Sequence, residues 1–521
     1  MTEPQIPEIL KNLPRRISDV VAPWAAQSPN QPALVEESGT WTYGQLAGAV
    51  VHARTWLVES GIRPGDRVML VCENCRAFVA FLLAAASLDV WPVLVNARLS
   101  PQEIDLIRDH CGARRVIYTV SASPFAMKHA KRHNAGVREF LTAGSIAIGE
   151  LNPDVLPEPL EQDPAENVGA MIYTSGTTGL PKGVMLSHRS VLFMAEVSSR
   201  VRSVLPNDRL LGVLPMSHAV GLSVVLLGSL IHGATVYLSS RFDPVALLRT
   251  LETAQLTLVL GAPSMFALLL EYSKMKGISS LKFPALRVIS SSGAPLQAAV
   301  KAEVESLFGM VLHNGYGVTE CSPTIALTRP ELPRTDLSVG LIFPGIEVQI
   351  IGGDGVPVEE GNVGELRVKG PTIMKGYYRA AEETADVLSR DGWFNTRDLA
   401  RLEQGYLFIE GRTKDLIVRF GFNVYPAEVE CVMNAHPSVV RSAVIGRNVS
   451  SEGGEEIIAF VELATVSKTT VEELTEHAAA RLAAYKRPSQ IIIVPAMPLT
   501  LTGKIIKDQL AKLLDHPAPT G

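Results

Sequence analysis

Residues Tyr173–Gly183 read YTSGTTGLPKG: three glycines, four serine or threonine hydroxyls and a lysine, at the end of the apolar run Ala170–Tyr173. Gly176 and Gly179 let backbone N–H groups converge on an anion more closely than residues with side chains allow. Thr174, Ser175, Thr177 and Thr178 add hydroxyl donors, and Lys182 adds a point charge. Such a set cradles phosphate oxygens; the competing reading is a plain surface turn. The cradle is not of the Walker type. GxxxxGK[ST] is absent, and near Gly503–Lys504 it fails twice, with Pro498 for the first glycine and Ile505 for the hydroxyl residue.

Further along come NGYGVTE (Asn314–Glu320), TRD (Thr396–Asp398), GRTKDLIVRFGFNVYP (Gly411–Pro426) and PLTLTGKI (Pro498–Ile505), in that order. With the glycine–threonine segment they resemble the motifs of the adenylate-forming enzymes: acyl-CoA and aryl-CoA synthetases, firefly luciferase and the adenylation domains of peptide synthetases. The resemblance spans about residues 15 to 512. It implies a ligase that joins a carboxylic acid to the α-phosphate of ATP, releases pyrophosphate, and hands the acyl group of acyl-AMP to the thiol of coenzyme A. A relative that loads a carrier-protein thiol, or stops at acyl-AMP, is the alternative. A catalytically silent nucleotide-binding protein would have lost Lys504 or Glu320, and neither is lost.

The chemistry needs cations and oriented dipoles where phosphate charge accumulates. The resemblance assigns them residue by residue. The 173–183 loop would hold the β- and γ-phosphates, and Glu320 would hold Mg²⁺ against them, a hard cation on a carboxylate. Thr319 would reach the α-phosphate. Tyr316, within Asn314, Gly315 and Gly317, would stack on adenine, with Gly293, Ala294 and Pro295 on the other side of the base. Asp398 would accept both ribose hydroxyls and Arg412 would donate to the same sugar. Lys504 would reach the carboxylate and α-phosphate. A thiol cannot attack while Lys504 occupies that place, so the C-terminal part must turn about a hinge at Lys414. The loop Arg419, Gly421, Phe422 and Asn423 would then face the coenzyme A arm; many relatives read SGG where this chain has Arg419–Gly421.

LPMSHAVGL (Leu214–Leu222) resembles the segment that gates the acyl pocket. Ser217 and His218 stand where peptide-synthetase domains place an aspartate, which argues against an α-amino acid. His218 is a gate beside the reacting carboxylate or else an ordinary core histidine. Gly221 belongs with His218 to the expected acyl pocket, and Gly261, Ala262 and Gly315 would leave room there for a ring or a chain. No arginine or lysine occurs in Leu214–Leu222, Val259–Met265 or Ser291–Ala294, which disfavours dicarboxylic acids. Medium- or long-chain fatty acids and aromatic acids both remain open.

Positioning these residues requires alternating strands and helices. Arg67–Val71 precedes an apolar helix at Ala77–Leu88. Ala234–Leu238 precedes a helix with Asp243 as cap and Pro244 in its first turn, and Leu256–Leu260 and Leu286–Ser290 continue the pattern. Alternation of this kind makes parallel α/β sheets. From Val339 to Phe408 the chain turns Gly-rich with short alternating runs, as in an antiparallel β unit. After Lys414, strands at Ile457–Leu463 and Ile491–Val494 flank a helix over Val471–Tyr485, with Thr470 and Glu473 as a capping box. The expected fold class is α/β. A large N-terminal domain (1–411) has two α/β sheet subdomains and the small β unit, 412–415 is the hinge, and 416–521 is a mobile α+β domain carrying Lys504.

Composition bounds the partners. In 521 residues, 47% are hydrophobic and 19% charged, and the net charge of −5 gives no reason for a nucleic-acid partner. The longest apolar runs, Ala77–Leu88 and Ala219–Ile231, fall short of the ~20 residues a spanning helix needs, so no transmembrane segment is expected. An N-terminus with Glu3, Glu8 and two prolines is not a signal peptide, and the five scattered cysteines suit a reducing, cytoplasmic setting. A homodimer is compatible with this reading. Cys72 and Cys75 form a CxxC, read as small residues between a strand and a helix. His129 and His133 lie in HAKRH, read as a solvated basic face.

Overall fold

In a computed structural model, residues 5–174, 181–419, 422–449, 454–464, 467–500 and 503–515 are described. Two large sheets dominate. One has eight strands, and its centre is parallel: Arg67–Cys72 lies between Trp91–Asn96 and Arg115–Tyr118, and Trp91–Asn96 also pairs with Val168–Thr174. Both faces of Arg67–Cys72 and Trp91–Asn96 are covered, as expected for parallel strands with helices above and below. The predicted apolar helix forms at Arg76–Ser87 and is buried along nearly its whole length. Cys72 ends its strand. Cys75 caps the helix, its Sγ accepting from Phe78 N at 3.4 Å.

The second sheet has thirteen strands. Its parallel half includes Thr235–Leu238, Arg209–Gly212, Leu258–Gly261, Val288–Ser291 and Leu312–Gly317. The Asp243 carboxylate caps the helix Pro244–Thr253, accepting from Ala246 N at 2.7 Å. The antiparallel β unit expected after Val339 is present and hydrogen-bonds edge-on to this sheet through Thr324–Leu327, Gly340–Ile342 and Tyr406–Arg412.

The C-terminal lobe has its own three-stranded sheet, Val439–Val449, Gly454–Leu463 and Gln490–Val494, with a separate apolar core on each face. The capping box at Thr470 forms, but the helix it opens ends at Ala479, well before Tyr485. Ala484–Lys486 is instead a 3₁₀ turn, and Leu482 stays buried without the helix. Pro488 lies just beyond that turn and disfavours helix in the residue before it. A second expectation fails at HAKRH. His129 is buried, its Nε2 against the carbonyls of Ala97 and Leu99 at 3.1 Å, and His133 bonds Asp105 at 2.8 Å, because the helix Pro124–Arg132 packs this side on the first sheet. Among the described residues, no helix is long and apolar enough to cross a membrane.

Candidate active site

The strands Val168–Thr174 and Lys182–Ser187 run antiparallel, with Thr174 opposite Lys182. Ser175, Gly176, Thr177, Thr178 and Gly179, the core of the phosphate reading, lie outside the described residues. Lys182 places its Nζ 5.1 Å from the centre of the Tyr377 ring, and the Tyr377 hydroxyl donates to Glu320 Oε1 at 2.8 Å. One aromatic ring thus carries a cation on its face and a carboxylate at its edge. Tyr377 arrives on the short strand Gly376–Tyr377, which pairs with the edge of the first sheet opposite Val184 and Met185. Glu320 sits in the 3₁₀ turn Thr319–Cys321. Burial pushes its carboxyl above the ordinary glutamate range, against the Tyr377 bond.

The ribose candidates meet through a hairpin. Strands Phe394–Glu403 and Tyr406–Arg412 set Asp398 directly opposite Arg412, whose Nε donates to Asp398 Oδ1 at 2.9 Å. The Tyr316 hydroxyl donates to the other carboxylate oxygen. Each oxygen keeps a lone pair for a further donor. Next to Tyr316, Gly317 lets the strand pass close to the Pro323–Thr324 backbone, since a Cβ there would lie 2.1 Å from Pro323 O. Gly293, Ala294 and Pro295 form the turn after Val288–Ser291, and Gly293 has φ +88° with nothing within 4 Å of where a Cβ would stand. That is open space on the predicted adenine side. Asn314 is committed elsewhere: its Nδ2 reaches the carbonyls of Leu337 and Ser338 at 3.3 Å, so it braces the Gly315–Gly317 backbone from behind.

The C-terminal lobe meets this cluster at Lys504. Leu499 and Ile505 bridge a tight turn, within which Thr500 N donates to Lys504 O at 2.7 Å and Lys504 N to Thr500 Oγ1 at 3.0 Å. Gly503, at φ +82°, abuts the large lobe: a Cβ there would lie 2.1 Å from Ser264 Oγ. The Lys504 side chain is reached by solvent yet ringed by protein in the cleft. Burial, then the Arg412 charge, lowers its pKa to about 8, with Asp398 and Asp415 opposing. Lys414 lies in the turn Thr413–Asp415, its Nζ 3.9 Å from Asp508. Arg419 Nη1 donates to Arg487 O at 2.7 Å, inside its own lobe, and the Ile417–Arg419 strand pairs with Phe422–Val424. Gly421 and the side chains of Phe422 and Asn423 lie outside the described residues.

On the acyl side, burial lowers the His218 pKa and so favours the neutral ring, and its Nε2 is buried without a partner. Two residues on, Val220–Leu227 is a π-helix, a rare form concentrated at functional sites. Gly221 does not open the pocket. Its Cα is pressed against the chain, with Pro215 O 2.2 Å from a Cβ position, so it allows the tight turn that presents His218. Gly261 lies against Phe266, a Cβ there falling 3.1 Å from Cε2, and Ala262 begins the helix Pro263–Met275. Gly315 does line a cavity, together with Val220, Val224, Tyr316 and Arg202. Arg202, the C-cap of the helix His188–Val201, belongs to none of the stretches read for the pocket. The stretches read for the pocket do carry no cation, and Arg202 is a basic residue that reaches the cavity wall from a different helix.

The family model for AMP-binding enzymes matches residues 21–378, and that for their C-terminal domain matches 428–504. The chain belongs to the AMP-binding enzymes. Feruloyl-CoA synthase of Amycolatopsis sp is 34% identical to this AMP-binding enzyme over 94% of the chain and 97% of the relative. Long-chain-fatty-acid–CoA ligase FadD13 of Mycobacterium tuberculosis is 31% identical over 95% and 98%. Among solved structures, ATP-bound MatB from Rhodopseudomonas palustris superposes with a TM-score of 0.82 at 27% identity, covering 96% of this chain and 99% of the other.

Two positions of this AMP-binding enzyme carry no motif signal and still shape the site. Tyr377 shows in the sequence only as one of two tyrosines after Gly376. Asn74, inside the CENC segment, ties the gate to the first sheet. Its Nδ2 donates to the carbonyls of Gly212 and Leu214 at 2.9 Å, and its Oδ1 accepts from Met216 N at 2.8 Å.

Proposed function

We propose that this AMP-forming acid–thiol ligase condenses an aliphatic (medium- or long-chain) or aromatic carboxylic acid with ATP to give acyl-AMP and pyrophosphate. It then passes the acyl group to the thiol of coenzyme A, releasing AMP. The observation that carries this reading is the approach of the C-terminal lobe to the acyl wall at Gly503, where a Cβ would lie 2.1 Å from Ser264 Oγ, with the neighbouring Lys504 in the electrostatic field of Arg412 and Asp398. A lysine there faces both the acid and the α-phosphate, where charge develops during adenylation. Neutral His218 shields the reacting carboxylate without competing as a cation. Asp398 and Arg412 hold the ribose, and Lys182 with the 173–183 segment holds the outer phosphates.

Glu320 suits Mg²⁺. It is a hard oxygen donor with one oxygen bonded to Tyr377. Among the described residues no group of three or more histidine, cysteine, aspartate or glutamate side chains could form an all-protein cage. Mg²⁺ is ordinarily held by one or two carboxylates plus substrate phosphates and water. The ion would supply positive charge against the phosphate oxygens. For the second step the C-terminal lobe turns about 412–415. Arg412 stays anchored to Asp398 in its strand, and the turn Thr413–Asp415 after it is lightly held, by Thr413 Oγ1 donating to Glu365 at 2.8 Å and by the long Lys414–Asp508 pair at the surface. The free, unbridged cysteines suit a reducing cytoplasm.

The test is a pyrophosphate-release screen over aliphatic and aromatic acids, with and without coenzyme A. Acid-dependent pyrophosphate with AMP release that requires coenzyme A supports the reading. AMP release that requires a carrier-protein thiol instead selects the alternative acceptor, and no acid-dependent pyrophosphate refutes it.

A further inference from the structure

We propose that the acid activated by this enzyme carries a second carboxylate, received by the Arg202 guanidinium in the wall of the acyl cavity. The proposal rests on the ligase reading above and narrows its substrate. Among the described residues four arginines are buried: Arg67, Arg76, Arg114 and Arg202. Three face a carboxylate of the chain, Arg67 with Glu158 at 3.8 Å, Arg76 with Glu36 at 2.5 Å and Arg114 with Asp66 at 3.2 Å. Arg202 is 6% exposed, and among the described residues no carboxylate pairs with it. Its Nη1 donates to Ser198 O at 3.2 Å and Ser198 Oγ at 2.5 Å, closing the end of its helix, and its Nε is buried without any partner.

An unpaired buried charge is expensive, and natural proteins rarely keep one without a ligand or ion to complete it. Burial lowers the Arg202 pKa only to about 10, so the group remains a cation at neutral pH. The neighbouring His313 cannot relieve it: burial first, and then the Arg202 charge, lower the His313 pKa to about 4, so it stays neutral. Beside Arg202 the cavity wall carries Val220, Val224 and Leu327 together with the hydroxyl residues Ser292 and Thr324, and it continues to Gly293 and Tyr316 on the nucleotide side. An acid whose reacting carboxylate lies by the nucleotide would lay its body along the valines and its second carboxylate on Arg202. A guanidinium offers the forked donors such a group accepts.

The experiment measures acid-dependent pyrophosphate release for matched pairs: straight-chain acids and their α,ω-diacids of equal length, and benzoates with and without a second carboxylate. The wild-type enzyme is expected to favour the diacid of at least one pair by on the order of 10²-fold in kcat/KM, since a site built for a polar group rejects the analogue that lacks it. Arg202→Gln should reduce that diacid-to-monoacid ratio at least about tenfold, and Arg202→Lys should restore part of it. Melting curves and ATP binding confirm that the variants fold, and the wild-type panel needs no variant. Preference for the monoacid in every pair, or an Arg202→Gln ratio equal to wild type, overturns the proposal while the ligase reading stands. No pyrophosphate from any acid removes both.

Discussion

Replacing Lys504 with alanine should separate the two half-reactions. With a pKa of about 8, the wild-type side chain is cationic in roughly ten molecules for each neutral one at pH 7. It is therefore available as a charged donor to the α-phosphate and the attacking carboxylate. Removing one preorganised donor from a developing oxyanion costs about 2.7–4 kcal/mol, or 10²–10³ in rate. Acid-dependent exchange of labelled pyrophosphate into ATP should fall by that factor, whereas thioester formation from supplied acyl-AMP and coenzyme A should stay within a few-fold of wild type. A pH arm sharpens the test. The Lys504 pKa is lowered in the closed lobe, so the cation is present below about pH 8 and is lost as pH rises through that value. The kcat/KM for adenylation, which reports the free enzyme, should decline above about pH 8 in wild type, and that limb should be missing in Lys504→Ala. Equal loss in both half-reactions, or an unchanged alkaline limb in the variant, would refute the assignment.

Tyr377→Phe removes the hydroxyl bonded to Glu320 while keeping the ring beneath Lys182. A hydrogen bond to a charged group is worth about 1.5–3 kcal/mol, so adenylation should drop on the order of tenfold with a shifted Mg²⁺ titration, and an unchanged titration would separate Tyr377 from the metal site. Asn74→Ala removes the side-chain donor to the carbonyls of Gly212, Leu214 and Ser239 and the acceptor of Met216 N, Gly212 O alone keeping a second donor in Ser239 N. At about 1 kcal/mol for each group left unpaired, stability should fall by about 3 kcal/mol in denaturant unfolding and the KM for the acid should rise; wild-type values for both would dismiss the tie.

Features set by nearby residues were legible in the sequence. The hairpin that opposes Asp398 and Arg412 spans only fourteen positions, and the Thr470 and Asp243 caps act within one helical turn. Strand–helix alternation likewise announced parallel sheets. What stayed hidden depends on pairing between distant segments. Tyr377 meets Glu320 across 57 positions because a two-residue strand joins the edge of the first sheet. Arg202 reaches the acyl cavity from the end of a helix that no pocket motif touches, and Asn74 bonds carbonyls some 140 positions away. Periodicity carries no information about which strand lies beside which. Gly221 was legible as special but not in its role, since whether a glycine widens a pocket or admits a backbone crossing depends on the atoms facing it.

The most direct test of two-step catalysis in one closing cleft is a product count. Enzyme, ATP and a turned-over acid are mixed without coenzyme A, coenzyme A is then added, and pyrophosphate, AMP and thioester are quantified against enzyme concentration. The account predicts a burst of about one pyrophosphate per active site with acyl-AMP retained, followed on addition by steady release of AMP and acyl-CoA in equal amounts. Release of ADP and inorganic phosphate, or AMP formation at the same rate with and without the thiol, would contradict it.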